Sequence, residues 1–339
     1  MFSRSLSDLS VKVRVAVGWG HDARSGPRWR TLSRTYHMAL FCLAAYSYLF
    51  CIKNNNRRLV EKRFQEAVDT CYGFSQPLGV SNNAPFATQI LEILLTIDHV
   101  FVLSLGVCEM KLPKSFAGRA TCIVGTKVDA CAPKEFVRGP HTHAMKVSFM
   151  HATVLYLAKK ANLRHVALVE DDVVVRHGVF SENLLPDFGK ILNSTTWSMI
   201  RLGFRPYFLE NASREPCPFE CRCFIKQNMA REFCKLPKSG CDLRSSDFYV
   251  VHEKSYAVLL PKLLDLKQAN SKRIIDTAPM RSFANQWLIL PQASIQTKLD
   301  IPMDYQIGLG ALYVKKCVMP RPVPRIASQQ FLFNSGQYV

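Results

Sequence analysis

Apolar and polar positions divide the chain into three regimes. Tyr36 to Ile52 is free of Asp, Glu, Lys and Arg and reads as one apolar helical stretch. Arg57 to Thr70 is charged with scattered apolar positions, as in an amphipathic helical stem, and Asn82 to Pro85 marks a break. From Ile90 short apolar runs alternate with helical ones. His99 to Leu105 predicts a strand, Arg119 to Val128 contains another, and Ala144 to Ala161 predicts a helix. Arg164 to Val175, Trp197 to Gly203 and Phe248 to His252 predict further strands. Strands alternating with helices imply an α/β domain with a mostly parallel sheet covered by helices on both faces. The tail from Met319 carries Pro320, Pro322 and Pro324 and reads as extended.

The run Val166 to Val175 is β-branched and short enough for a buried strand, yet Glu170, Asp171 and Asp172 interrupt it. Three adjacent carboxylates cannot all stay ionised away from water, so they either end the strand in a solvated cleft or share a cation. In a continuous strand Glu170 and Asp172 share one side and Asp171 faces the other. Two oxygen donors on one side, with waters and a diphosphate completing the shell, suit Mg²⁺ or Mn²⁺. Ligands of parallel sheets bind beyond the carboxyl ends of strands, where such acids would sit.

The surrounding order of segments resembles glycosyltransferase family 25, the lipooligosaccharide and collagen galactosyltransferase type. Phe149-Met150-His151 opens a helical stretch, and Glu170 follows His151 by 19 positions. Trp197 to Gly203 is similar to the family's next strand, which ends in Leu-Gly. Tyr249 to Ala257 is similar to its Tyr-Leu-Ile-Ser-x-x-Gly-Ala segment, and Ile275-Asp276 stands where an Ile-Asp or Val-Asp pair is expected. The resemblance covers roughly Val100 to Gln296, with the serial order as its evidence. There are departures: Ser104-Leu105-Gly106-Val107-Cys108 lacks the usual basic residue after the first strand, for which Lys111 or Lys114 could substitute. Met150 replaces a Ser before the histidine, and Ser255-Tyr256 replaces the small glycine.

This resemblance implies a GT-A-like fold and transfer of a hexose from a nucleotide-sugar, UDP-galactose or UDP-glucose, with inversion. Asp172 would ligate Mn²⁺ or Mg²⁺ with Glu170, while Glu170 and Asp171 hold metal waters or the sugar and ribose hydroxyls. His151 would be a near-site structural residue. An inverting transfer also needs a carboxylate to take the acceptor hydroxyl's proton. The candidates are Asp276 and Asp247, with Glu253 behind them, and Asp276 matches the family's position best. Arg201 and Arg205 are candidate diphosphate partners, because guanidinium forks bind phosphate oxygens in pairs.

Composition adds a compartment and a charge. The chain has 339 residues, 48% of them hydrophobic, enough for a sizeable core. Its net charge of +18 favours phosphate-bearing partners, but no zinc-finger or RNA-recognition signature supports nucleic acid. Seven Lys or Arg precede Tyr36 against two acids, so Tyr36 to Ile52, near the lower limit of about 17 residues for a span, reads as a type II signal anchor. On this reading residues 1–35 are a cytosolic tail, 36–52 a transmembrane segment, 53–89 a stem, 90–318 the catalytic domain and 319–339 a tail. The catalytic domain would face the lumen of the Golgi or endoplasmic reticulum. Sequons at Asn193 and Asn211 are compatible with that.

Cys217, Cys221, Cys223, Cys234 and Cys241 cluster in an insertion, Arg205 to Leu243. They lack two clean Cys-x-x-Cys pairs for zinc and read as disulfides, with a fifth partner such as Cys317 or Cys131. The insertion's place between two strands would let it overhang the cleft and select a protein, lipid or glycan acceptor. The rival functions are an inactive transferase-fold scaffold and a metal-dependent phosphodiesterase or nuclease.

Overall fold

The computed structural model describes residues 27–71, 73–81, 88–134, 142–176, 180–194, 196–206, 209, 217–226, 229–237, 241, 243–244, 247–265, 285–297 and 302–319. Two units divide the chain, Met1–Arg58 and Leu59–Val339.

In the first unit the described residues belong to helix α1 (Pro27–Thr70), whose last turns from Leu59 onward fall in the second. No helix among the described residues is long and apolar enough to cross a membrane. This corrects the signal-anchor expectation. Tyr36–Ile52 is free of acids and of Lys and Arg, but it is short and mixes His37, Tyr46, Ser47 and Tyr48 among its apolar residues, and Lys53 with three asparagines follows at once.

The second unit is built on one ten-stranded sheet in the order β1-β3-β2-β4-β11-β6-β12-β9-β8-β14. These are β1 (Ser75–Pro77), β2 (His99–Ser104), β3 (Ala120–Val124), β4 (His165–Glu170), β6 (Met199–Arg201), β8 (Cys223–Lys226), β9 (Ala230–Lys235), β11 (Phe248–His252), β12 (Gln286–Ile289) and β14 (Val318–Met319). Two short ribbons pair β5 (Val173–Val175) with β13 (Ser294–Gln296) and β7 (Arg205–Pro206) with β10 (Leu243–Arg244).

The sheet is mixed, which corrects the expectation of a mostly parallel one. β2 runs parallel to β3 and β4, and β12 parallel to β6, but β11 lies antiparallel between β4 and β6. The outer strands β1, β9 and β8 add antiparallel pairings. Five strands of the centre (β3, β2, β4, β6 and β12) therefore share one direction around a reversed β11.

Strand side chains alternate between two cores, as the pleat requires. Val100, Val102, Ala167, Val169, Phe248 and Val250 face one layer, with Ile90, Ile93 and Leu94 of helix α2 (Thr88–Leu95) and Leu184, Phe188 and Ile191 of α5 (Leu184–Leu192). Helix α3 (Gly125–Cys131) follows β3 directly. Phe101, Leu103, Val166, Leu168, Tyr249 and Val251 face the other layer. There they meet Phe64 and Val68 of α1, Leu155 and Ala158 of α4 (Thr142–Lys160), and Leu259 and Leu263 of α6 (Glu253–Leu263). Helices on both faces are present.

A third core gathers Cys217, Cys221, Cys223, Cys234, Cys241 and Cys317 with Phe204, Leu288 and Tyr313, against helix α7 (Met303–Cys317). The five clustered cysteines pair as Cys217–Cys317, Cys221–Cys241 and Cys223–Cys234, and Cys71–Cys131 and Cys108–Cys122 close two further loops.

Candidate functional site

The strand carrying the acids does not run through them. β4 ends at Glu170, Asp171 and Asp172 form a turn, and Val173 opens β5 in a different ribbon. The strict alternation expected for Glu170, Asp171 and Asp172 is thereby corrected. Three adjacent carboxylates cost too much inside a sheet, so the chain leaves the sheet where they begin.

Each acid's backbone is tied to a different neighbour. Glu170 N–H donates to the Asp247 carbonyl at 2.7 Å, Asp171 N–H to the Leu103 carbonyl at 2.9 Å, and Thr297 N–H to the Asp172 carbonyl at 3.0 Å. Because β2 and β4 are parallel, their carboxyl ends lie together. Ser104, fully buried at the end of β2, donates its hydroxyl to Asp171 Oδ2 at 2.6 Å.

Glu170 has a polar neighbour at each oxygen. Oε2 accepts from Gln296 Nε2 at 2.7 Å, and Oε1 lies 3.5 Å from Nε2 of the fully buried His151. His151 in turn contacts Tyr249, its Nδ1 2.6 Å from the hydroxyl. His151 therefore stands beside the acids as a buried supporting group.

Asp247 sits immediately before β11, 1% exposed. Burial first, then the neighbouring Glu170 charge and, more weakly, Asp172 push its carboxyl up to about 8. The Ser294 hydroxyl, donating to Oδ2 at 3.1 Å, and a backbone N–H pull the other way. The charges of Glu170 and Asp172 thus bear on one buried carboxyl and favour its protonated form.

The other predicted residues are spread more widely. Arg201 is 2% exposed, and its guanidinium donates to Gln286 Oε1 at 3.1 Å and to the Leu243 carbonyl at 2.9 Å. Arg205 is half-buried in β7, while Lys111 and Lys114 are exposed beyond β2. Glu253 opens α6, its N–H bonded to the Arg164 carbonyl just before β4, at the end of that strand opposite the acids. A cleft of about 250 Å³ lined by Lys159, Leu163, Lys254 and Tyr256 also lies at that far end. Asp276 and Asn211 lie outside the described residues, and Asn193 is exposed at the end of α5.

Among the described residues no three His, Cys, Asp or Glu side chains form a ready metal cage. The donor chemistry at the β4 turn is nevertheless oxygen only, with negative charge in excess around Asp247. Such a set matches a hard divalent cation held by one or two carboxylates, most of its shell coming from water or phosphate oxygens. Glu170 and Asp172 are the pair that could hold it.

Sequence reasoning assigned no role at the site to Ser104, Tyr249, Ser294 or Gln296, although Ser104 and Tyr249 lie in segments it compared with the family. Ser104 alone had a local signal, as a polar residue closing an apolar strand; Gln296 becomes a neighbour of Glu170 only through the β5–β13 ribbon.

No protein-family model matches this chain, and no curated protein matches it.

Proposed function

We propose that the chain is a glycosyltransferase that moves a hexose from a nucleotide-sugar to an acceptor hydroxyl with inversion. The observation that carries this reading is the position of Glu170, Asp171 and Asp172. They stand at the end of the central β4, at the carboxyl ends of five codirectional strands in a mixed sheet. Open α/β sheets bind nucleotides at such carboxyl ends.

In this reading Asp172 and Glu170 hold Mn²⁺ or Mg²⁺. When bound, the cation supplies positive charge for the departing nucleoside diphosphate. Asp171, oriented by Ser104, is placed to accept hydrogen bonds from donor hydroxyls. Asp276 is assigned by resemblance to take the proton of the attacking hydroxyl. The ten paired cysteines support an oxidising compartment, and we assign the chain to the lumen of the endoplasmic reticulum or Golgi.

The test is turnover of a panel of nucleotide-sugars by the purified, oxidised chain with Mn²⁺ or with EDTA. Metal-dependent consumption of one donor, lost in Asp172→Ala with the fold intact, is the expected result. A folded sample that consumes none of the donors, or one equally active after Asp172→Ala, overturns the reading.

A further inference from the structure

Helix α7 reaches the acidic turn through two glutamines. Gln306, 5% exposed, grips the backbone of Gln296 at both polar groups: its Nε2 donates to the Gln296 carbonyl at 2.9 Å, and its Oε1 accepts from the Gln296 N–H at 3.2 Å. A side-chain amide here does what a neighbouring strand would do, satisfying N–H and carbonyl of one residue together. Gln292 Nε2 donates to the Gln306 carbonyl at 3.2 Å and ties the helix back to the segment before β13. Gln296 then spends its own side chain on Glu170 Oε2.

β13 is three residues long; it pairs with the equally short β5, and its first residue, Ser294, also bridges Gly203. So small a ribbon does not by itself fix the direction of a side chain at its last residue. The bidentate hold from α7 restrains that last residue, Gln296, directly at its backbone. The far end of α7 is secured by the Cys217–Cys317 disulfide to the cysteine-rich insertion.

We propose that Gln296 and Gln306 are positioning residues for Glu170, with Gln306 acting through Gln296, so that α7 sets the cation affinity of the acidic turn. The proposal rests on the reading of Glu170 and Asp172 as cation-holding acids. Outer residues that orient a ligating group commonly change metal affinity ten-fold or more when removed.

The experiment is a Mn²⁺ titration of the full oxidised chain, wild type against Gln296→Met, Gln306→Leu and the double variant, alongside donor turnover. Met keeps the length of Gln296 and removes its donor. The expected result for Gln296→Met is an affinity for Mn²⁺ lowered about ten-fold with an unchanged unfolding midpoint, and turnover restored by excess Mn²⁺. Gln306→Leu should weaken Mn²⁺ in the same direction, and the double variant should be no worse than Gln296→Met. Should Gln306→Leu fail to fold, Gln306→Glu keeps the acceptor for Gln296 N–H and is expected to fall between wild type and Gln296→Met.

Unchanged Mn²⁺ affinity in folded Gln296→Met overturns the proposal, as do additive losses in the double variant, which would mean separate routes. Donor turnover indifferent to Gln296 defeats the positioning role and leaves the transferase reading standing. Mn²⁺ binding that responds to both glutamines, without turnover of any donor, defeats the transferase reading alone. A wild-type chain that binds no Mn²⁺ defeats the proposal outright.

Discussion

Tyr249 stacks on His151 with 4° between the ring planes and 5.7 Å between their centres, and its hydroxyl lies 2.6 Å from Nδ1. Both are buried, and His151 in turn stands beside Glu170. Tyr249→Phe keeps the stacking and removes the hydrogen bond. It is expected to destabilise the domain by about 1–3 kcal/mol, since a buried nitrogen loses a bonded hydroxyl. Denaturant unfolding of the two proteins measures it.

Gly203 offers a steric test of the same region. A Cβ at this position would stand 2.6 Å from Asp247 Oδ2 and closer still to the Ser294 hydroxyl. Both neighbours are buried and hydrogen-bonded to each other, so neither can simply swing away. Gly203→Ala is expected to cost about 1–3 kcal/mol as overpacking, read as a lower unfolding midpoint, whereas Gly189→Ala, with open space around it, should not show that loss.

His165 and His252 supply a pH dependence away from the acids. His165 stacks against Trp197, and His252 meets both rings edge-on. Burial holds both histidines below their ordinary value. For His165, Asp98 and Glu253 oppose the shift and Arg164 assists it; for His252, His165, Lys254 and Arg164 assist and Glu253 opposes. The unfolded chain therefore takes up these protons first as pH falls. Their contribution to stability is full above about 6.5 and is lost as pH drops through the lower folded values. His252 also caps α6, its Nδ1 accepting from Lys254 N–H at 3.2 Å, a role protonation ends. His252→Asn retains a capping oxygen and is expected to flatten the fall in unfolding midpoint between pH 7 and 5.

The disulfides differ in the length of chain they close. Cys217–Cys317 spans 100 positions and Cys223–Cys234 spans 11. On loop-closure entropy, replacing the first pair with serines is expected to cost about 5 kcal/mol and the second about 3 kcal/mol. Thermal unfolding of the two paired variants should rank them in that order.

How far the sequence carried can be judged at single residues. The apolar run of β2 was legible because Val100 and Val102 face one helical layer while Phe101 and Leu103 face the other, so positions 100–103 are all apolar. For the same reason the direction of Phe248–His252 was not legible: a strand buried on both sides reads alike either way up, and β11 turned out reversed. The acids at 170–172 announced a break in the core, but periodicity extended the strand through them; the cost of burying adjacent charges was the better guide. Tyr36–Ile52 looked like a span when only charges were counted, and its tyrosines, serine and histidine argue otherwise. Gln296 and Gln306 carried no signal at all. A glutamine's value lies in what it faces, and these two face each other across ten positions that no helical or strand period connects.

The reversed β11 bears on how the molecule comes to exist. β4 is complete at Glu170, but its neighbour on one side is made only at Phe248–His252, and the groups that steady its last residue come later still, at Gln296 and Gln306. Pairings so distant along the chain make for slow folding. A half-synthesised chain carries β4 with an open flank, ready to pair with other molecules. A nascent chain released before Gln306 would own all three acids and lack the parts that hold them in place.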